Sequence, residues 1–121
     1  MTLAQIAEAL LGHIRSDTSK AGIDALYAAD AVSVEAVAGP EGRETRGAEA
    51  IKAKHDWWNA NFEAASADVA GPFPHGDDRF ALIFRVEARN RQTGEASSME
   101  EVAVYHVAGG KIAREEFFYR A

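Results

Sequence analysis

Leu3, Ala7, Leu10 and Ile14 recur at steps of three and four, with Ile6 and Leu11 beside them. That is the period of a helix with one buried side. It predicts a helix from about Leu3 to Arg15, with His13 bordering the apolar stripe. Asp17, Thr18 or Ser19 then offers a cap for a second, shorter helix, buried through Ile23, Leu26 and Tyr27 and ending before Asp30. Here the period drops to two. Val32, Val34 and Ala36 alternate with Ser33, Glu35 and Val37, which predicts a strand over Ala31 to Ala38. A polar loop from Gly39 to Glu44 follows, and Gly47 begins a third helix. Ala48, Ile51, His55, Trp58 and Phe62 share one face of it, with Trp57 off to the side.

The remainder reads as sheet. A weak strand covers roughly Glu63 to Val69, and Gly71 to Asp78 is a loop with two prolines and two glycines that leaves His75 at the solvent or at a cavity rim. Arg79 to Arg89 is a strong strand with Leu82, Phe84, Val86 and Ala88 on one face, followed by a turn from Asn90 to Glu95. Met99 to Tyr119 forms a long hairpin about Ala108-Gly109-Gly110-Lys111. Its first arm puts Met99, Glu101, Ala103, Tyr105 and Val107 on one face; its second puts Ala113, Glu115, Phe117 and Tyr119 on one face and Ile112, Arg114, Glu116 and Phe118 on the other. Both arms set a carboxylate among apolar groups, so the sheet is expected to be covered on both sides, by helices on one and a partner subunit on the other. A carboxylate there needs a wet cavity, a partner or a proton. Helix, helix, strand, helix and then four strands describe an α+β fold, with three helices packed on a curved antiparallel sheet that leaves an open end for an internal pocket.

Composition narrows the function classes. A chain of 121 residues with 47% hydrophobic content is one domain, residues 1–121, with a single core. Its net charge of −6, without a basic cluster, argues against nucleic acid and anionic membrane as partners. There is no cysteine, hence no disulfide and no thiolate chemistry. The N-terminus lacks a signal-peptide pattern and no apolar run is long enough to cross a bilayer, so a cytoplasmic protein is expected.

Tyr27-Ala-Ala-Asp-Ala-Val-Ser-Val-Glu35, Arg46-Gly47-Ala-Glu-Ala-Ile51, Phe84-Arg-Val-Glu87 and the closing Gly110-Lys-Ile with its aromatic tail carry a resemblance. The chain resembles the nuclear transport factor 2-like superfamily, which includes ketosteroid isomerases and SnoaL-like polyketide cyclases, over nearly its whole length. The resemblance implies a cone-shaped fold. It places Glu35 where ketosteroid isomerases carry their general base, Ala103 where they carry the acid of the oxyanion hole, and His13 near the tyrosine partner of that acid. The oxyanion pair is therefore missing, which argues against steroid isomerisation. The resemblance also turns Leu82, Phe84, Val86, Met99, Glu101, Glu115, Phe117 and Tyr119 toward the cavity, and implies a homodimer through the outer sheet face, where Val102, Val104, His106, Phe118, Arg85 and Glu87 lie.

Glu35, Glu101 and Glu115 would then converge on one largely apolar cavity. Burial and mutual repulsion raise a carboxyl's pKa, and such a set can supply one acid and one base. His13 or His55 could relay the proton. The candidate catalytic set is Glu35, Glu101, Glu115 and His13; the candidate ligand-binding set is His55, Trp58, Phe84, Val86, Met99, Tyr105, Phe117 and Tyr119. Against chemistry stands the reading that each glutamate pairs with a neighbour and shapes the cavity, that His55 is a satisfied core histidine and that Trp58 is core. No local His-x-x-x-His spacing is present, so no metal is expected, and no cofactor. Two function classes remain. One is an isomerase-, cyclase- or hydrolase-type enzyme removing a proton beside the carbonyl of a small apolar compound, with Tyr105, Tyr119, His13 or a protonated glutamate as donor to the oxyanion; Tyr105 would require its strand to turn it inward. The other is a ligand-binding or dimeric accessory domain without chemistry.

Overall fold

The computed structural model describes residues 1–120. Helix α1 spans Leu3–Arg15 and starts at a capping box in which Thr2 accepts from the Gln5 amide and the Gln5 side chain accepts from the Thr2 amide. It buries Ile6, Ala7, Leu10 and Leu11. Helix α2, Ser19–Leu26, buries Ile23 and Leu26 against it. The two helices approach closely at Gly22, where a Cβ would lie 3.0 Å from His13 Cβ. The chain runs straight on into strand β1, Tyr27–Gly39, which begins four residues before the alternation suggested.

Strand β2, Gly42–Arg46, occupies much of the expected polar loop. It pairs with β1 at the sheet edge, where its mostly exposed side chains need no hydrophobic alternation. Gly47 then turns the chain at φ +94° into helix α3, Ala48–Asn61. Strand β3 runs from Phe62 to His75, well past the predicted weak strand, and absorbs the proline segment. Phe73, Pro74 and His75 pair with Ala81, Phe80 and Arg79, with a bulge between Ala70 and Phe73. The reason is position: β3 is an edge strand, where a proline that cannot donate leaves no neighbour unpaired. Strands β4 (Arg79–Asn90), β5 (Ala96–Ala108) and β6 (Lys111–Phe118) complete the chain.

The sheet order is β2-β1-β6-β5-β4-β3. All neighbours are antiparallel except β1 and β6, which are parallel, so the sheet is mixed rather than wholly antiparallel. No turn joins these two strands, so no hairpin fixes their relative direction. A second bulge corrects the alternation of β6. His106 pairs with Arg114 but Val107 pairs with Ile112, which leaves Ala113 as the extra residue. Ile112 is thereby turned to the same side as Glu115, at 0% and 1% exposure. The core gathers Ile6, Leu10, Leu11, Ile23, Leu26, Ile51, Phe80, Leu82, Tyr105 and Ile112 between the helices and the concave face. Phe80 stacks on Tyr105 at 5.1 Å, so Tyr105 does point inward, but into the packed core.

Candidate functional site

Three inward positions on β1, Tyr27, Ser33 and Glu35, face two on β6 and its continuation, Glu115 and Tyr119, with Lys54 above them on α3. The parallel register sets Ser33 directly beside Glu115. Glu115 is buried but not orphaned: Tyr27 Oη donates to its Oε1, and Ser33 Oγ donates to its Oε2 at 2.8 Å. Lys54 Nζ donates to Ser33 Oγ at 2.6 Å and to Glu35 Oε1 at 2.8 Å. Tyr119 Oη donates to Glu35 Oε2 at 2.9 Å. The ammonium of Lys54 also lies 5.4 Å from the centroid of the Phe117 ring. One unbroken hydrogen-bonded chain thus runs from the phenol of Tyr119 to the buried phenol of Tyr27.

Glu101 stands apart from that chain. It lies on β5 opposite Phe84 and is half-buried. Among the described residues no hydrogen bond or ion pair engages its carboxylate. Burial first, then the charges of Glu35 and Glu115, push it up to about 7 against the opposing pull of Lys54. Tyr119 is pushed up to about 12, by burial and then by its bond to Glu35. Burial, with the Glu115 charge, raises Tyr27 and Tyr105 well above the ordinary tyrosine value. Burial lowers His55, with Glu115 the main charge working the other way. At neutral pH the site therefore holds neutral phenols and a neutral imidazole, and one carboxyl close to half-protonated.

Glu101 and Tyr119 open onto a groove of about 440 Å³, lined also by Ser98, Met99, Glu100, Val102, Phe118 and Arg120. A smaller apolar hollow of about 100 Å³, between Leu3, Ala7, Pro72, Pro74 and Phe80, lies away from the polar chain. Among the described residues no three His, Asp or Glu side chains form a metal-ligating group. Among the described residues no helix is long and apolar enough to cross a membrane.

The structure brings together Glu35, Glu101, Glu115, Phe117 and Tyr119, with Phe84 beside Glu101 and Val86 beside Met99. It does not bring His13 to them: the ring bonds Thr18 Oγ1 through Nδ1 at 2.8 Å and packs on Gly22 between α1 and α2. His55 is half-buried within reach of the Glu115 and Glu35 charges. Trp58 stacks on Phe62 at 5.4 Å, and Trp57 meets the same ring edge-on. His75 is exposed. Lys54, Ser33 and Tyr27 were not singled out by the sequence as site residues. The signal for Lys54 was its place three residues after Ile51 and four before Trp58, together with three inward acids that call for a cation.

The model of the SnoaL-like domain matches residues 8–115. The chain belongs to the SnoaL-like domain family. A solved Mesorhizobium loti protein, provisionally described as a SnoaL-like polyketide cyclase and carbohydrate phosphatase, is 36% identical, with a TM-score of 0.91 over 98% of this chain and 100% of that one. A nuclear transport factor 2-like protein from Burkholderia thailandensis is 19% identical, with a TM-score of 0.84 over 99% of this chain and 92% of that one. A Catenulispora acidiphila protein with a ketosteroid isomerase-like fold, solved with trimethylamine, is 17% identical, with a TM-score of 0.74 over 98% and 87%. No curated protein matches the sequence. Within this SnoaL-like domain the cone-shaped arrangement of three helices on a curved sheet is thus shared with its structural relatives.

Proposed function

We propose that this SnoaL-like chain is a small-molecule enzyme of isomerase or cyclase type. Glu101 exchanges a proton with the carbon beside a carbonyl in a compact, largely apolar substrate. The observation that carries this reading is the contrast between the two half-buried glutamates. Both oxygens of Glu35 are engaged, by Lys54 and Tyr119, while Glu101 is unbonded on the wall of the groove. A proton carrier must have a free oxygen and a pKa near the working pH, and Glu101 meets both conditions. This moves the base from Glu35, where the resemblance put it, to the neighbouring strand. Tyr119, a neutral donor at neutral pH, is placed to turn its O–H from Glu35 to a developing oxyanion. Lys54 already has two of its three N–H groups committed to Ser33 and Glu35. Glu35, Glu101 and Glu115 outnumber Lys54 and the groove's Arg120, a balance that disfavours carboxylated or phosphorylated substrates and favours neutral ones. The description of the M. loti relative as a polyketide cyclase supports a substrate of this class.

A second reading, capture of a small amine without chemistry, is favoured by the same surplus of carboxylate next to the Phe117 ring and by the trimethylamine held by the C. acidiphila protein. One experiment separates them. Thermal-shift screening of neutral carbonyl compounds and of small amines identifies the ligand class by mass action, and turnover of any hit is followed in wild type and Glu101→Gln. Conversion of a carbonyl compound that falls by 100-fold or more in Glu101→Gln supports the enzyme. Conversion unchanged in that variant refutes the role of Glu101, and binding of amines without conversion supports the second reading. The assembly we propose is a homodimer through the outer sheet face about Val104 and His106, with Val102 and the 50% exposed Phe118, which also line the groove, at its border. A monomer by light scattering at micromolar concentration would remove it.

A further inference from the structure

We propose that Lys54 is the positioning residue of this site: anchored through Ser33 to the buried Glu115, it holds Glu35 as a fully bonded carboxylate and leaves Glu101 as the group free to exchange protons. The inference rests on the reading of Glu101 given above and adds a role for the cation beside it.

The direction of the hydrogen bonds makes the case. A serine hydroxyl has one proton, whereas an ammonium can only donate. Because Lys54 donates to Ser33 Oγ, the single Ser33 proton is committed to Glu115 Oε2. Glu115 cannot rotate away, since Tyr27 holds its other oxygen and the side chain is buried. The buried Glu115 therefore fixes the Ser33 hydroxyl, and Ser33 fixes the ammonium. The lysine stem is set in turn by α3, where Ile51, one turn earlier, is in the core. Glu35 is held from a third side, because its backbone carbonyl accepts from Arg43 Nε at 2.9 Å. An ordinary surface ion pair would use one acceptor and leave the rest to water. Lys54 instead spans two carboxylates, one directly and one through a hydroxyl.

The groups that meet Glu101 are Glu35 from β1, Lys54 from α3, Phe84 opposite it on β4, Tyr105 from its own strand, Glu115 from β6, and Tyr119 and Arg120 following it, with Glu100 next to it on the groove wall. Of these, Lys54 is the cation whose charge opposes those of Glu35 and Glu115 at Glu101. Without it Glu35 keeps Tyr119 as its partner, and the charge that offsets Glu35 and Glu115 at Glu101 is gone.

The test is a carboxyl-carbon NMR titration of Glu101 in wild type, Lys54→Met, Lys54→Arg and Ser33→Ala, with amide spectra confirming the fold. Lys54→Met is expected to raise the Glu101 midpoint by about one pH unit. Lys54→Arg keeps it within a few tenths, and Ser33→Ala gives a smaller rise as the ammonium loses its anchor. A Glu101 midpoint unchanged in a folded Lys54→Met overturns the proposal. If that variant does not fold, an unchanged midpoint in Ser33→Ala, in which the tether to Glu115 is cut, overturns it equally. The titration needs no substrate. It can therefore succeed while Glu101→Gln leaves turnover intact, or fail while Glu101→Gln abolishes it, and the two readings stand or fall apart.

Discussion

Glu101→Gln should stabilise the protein in alkali and leave it unchanged in acid. Gln keeps the shape of a protonated glutamic acid and removes the charge. In the unfolded chain Glu101 titrates near 4.5, and in the folded protein near 7. Between these values the folded state binds the extra proton, so the contribution of this group to stability is largest below about 4.5 and is lost as pH rises through 7. Two and a half pH units correspond to about 3 kcal/mol as an upper bound, since solvent reaching the half-buried carboxyl relaxes part of it. Urea unfolding of wild type and variant at pH 4 and pH 8 measures the difference directly. The variant should match wild type within about 0.5 kcal/mol at pH 4 and exceed it by about 1–3 kcal/mol at pH 8. A variant that is less stable than wild type at pH 8 would mean that the ionised carboxylate has a favourable partner. The picture of an unbonded, strained charge would then be wrong.

Two further perturbations test the frame that holds the site. Leu82→Ala empties a fully buried position in the core and should cost about 2–5 kcal/mol in urea unfolding; a loss under 1 kcal/mol would show that the core collapses around the gap. Gly47→Ala puts a side chain at φ +94° and ψ 142°, at the entrance to α3, and should cost about 1–3 kcal/mol by the same assay; no loss would mean that this turn relaxes freely.

Helix α1 was legible because burial there follows a simple period, whereas α3 buries only Ile51 of its expected stripe and ends before Phe62, which opens β3, and Tyr27, expected on α2, opens β1. Ile6, Leu10 and Leu11 fall on one stripe, and α1 has the limits their spacing suggests. Strand β2 was not legible because an exposed edge strand such as Gly42–Arg46 has no apolar side to show. The proline segment misled for a related reason: prolines exclude a strand from a sheet's middle but not from its edge. Glu35 and Glu101 were nominated through the resemblance, since the side-chain pattern of β1 and β5 does not by itself mark an apolar face. In β6 the bulge at Ala113 broke the period, and Ile112 changed sides. Lys54 was passed over because a lysine beside an apolar stripe is ordinarily read as solvated. Its use as a bridge depends on Ser33 and Glu115, which are brought to it only by the tertiary fold. His13 borders a real stripe, but the ring is engaged between two helices rather than beneath the sheet.

The parallel pairing of β1 with β6 has a consequence for how the chain acquires its structure. Tyr27 pairs with Ile112, and the Ser33–Glu115 hydrogen bond closes a separation of 82 residues. On a ribosome, β1 emerges early and must wait for nearly the whole remaining chain before its central neighbour exists. Contacts of such long sequence range slow folding, because the loop must close before it is rewarded. The hairpins β3–β4, β4–β5 and β5–β6 can form from adjacent segments, whereas the polar chain at Glu115 is assembled with the last strand. Until then Ser33 and Glu35 remain on an open edge, and the same closing step that completes the sheet also completes the site.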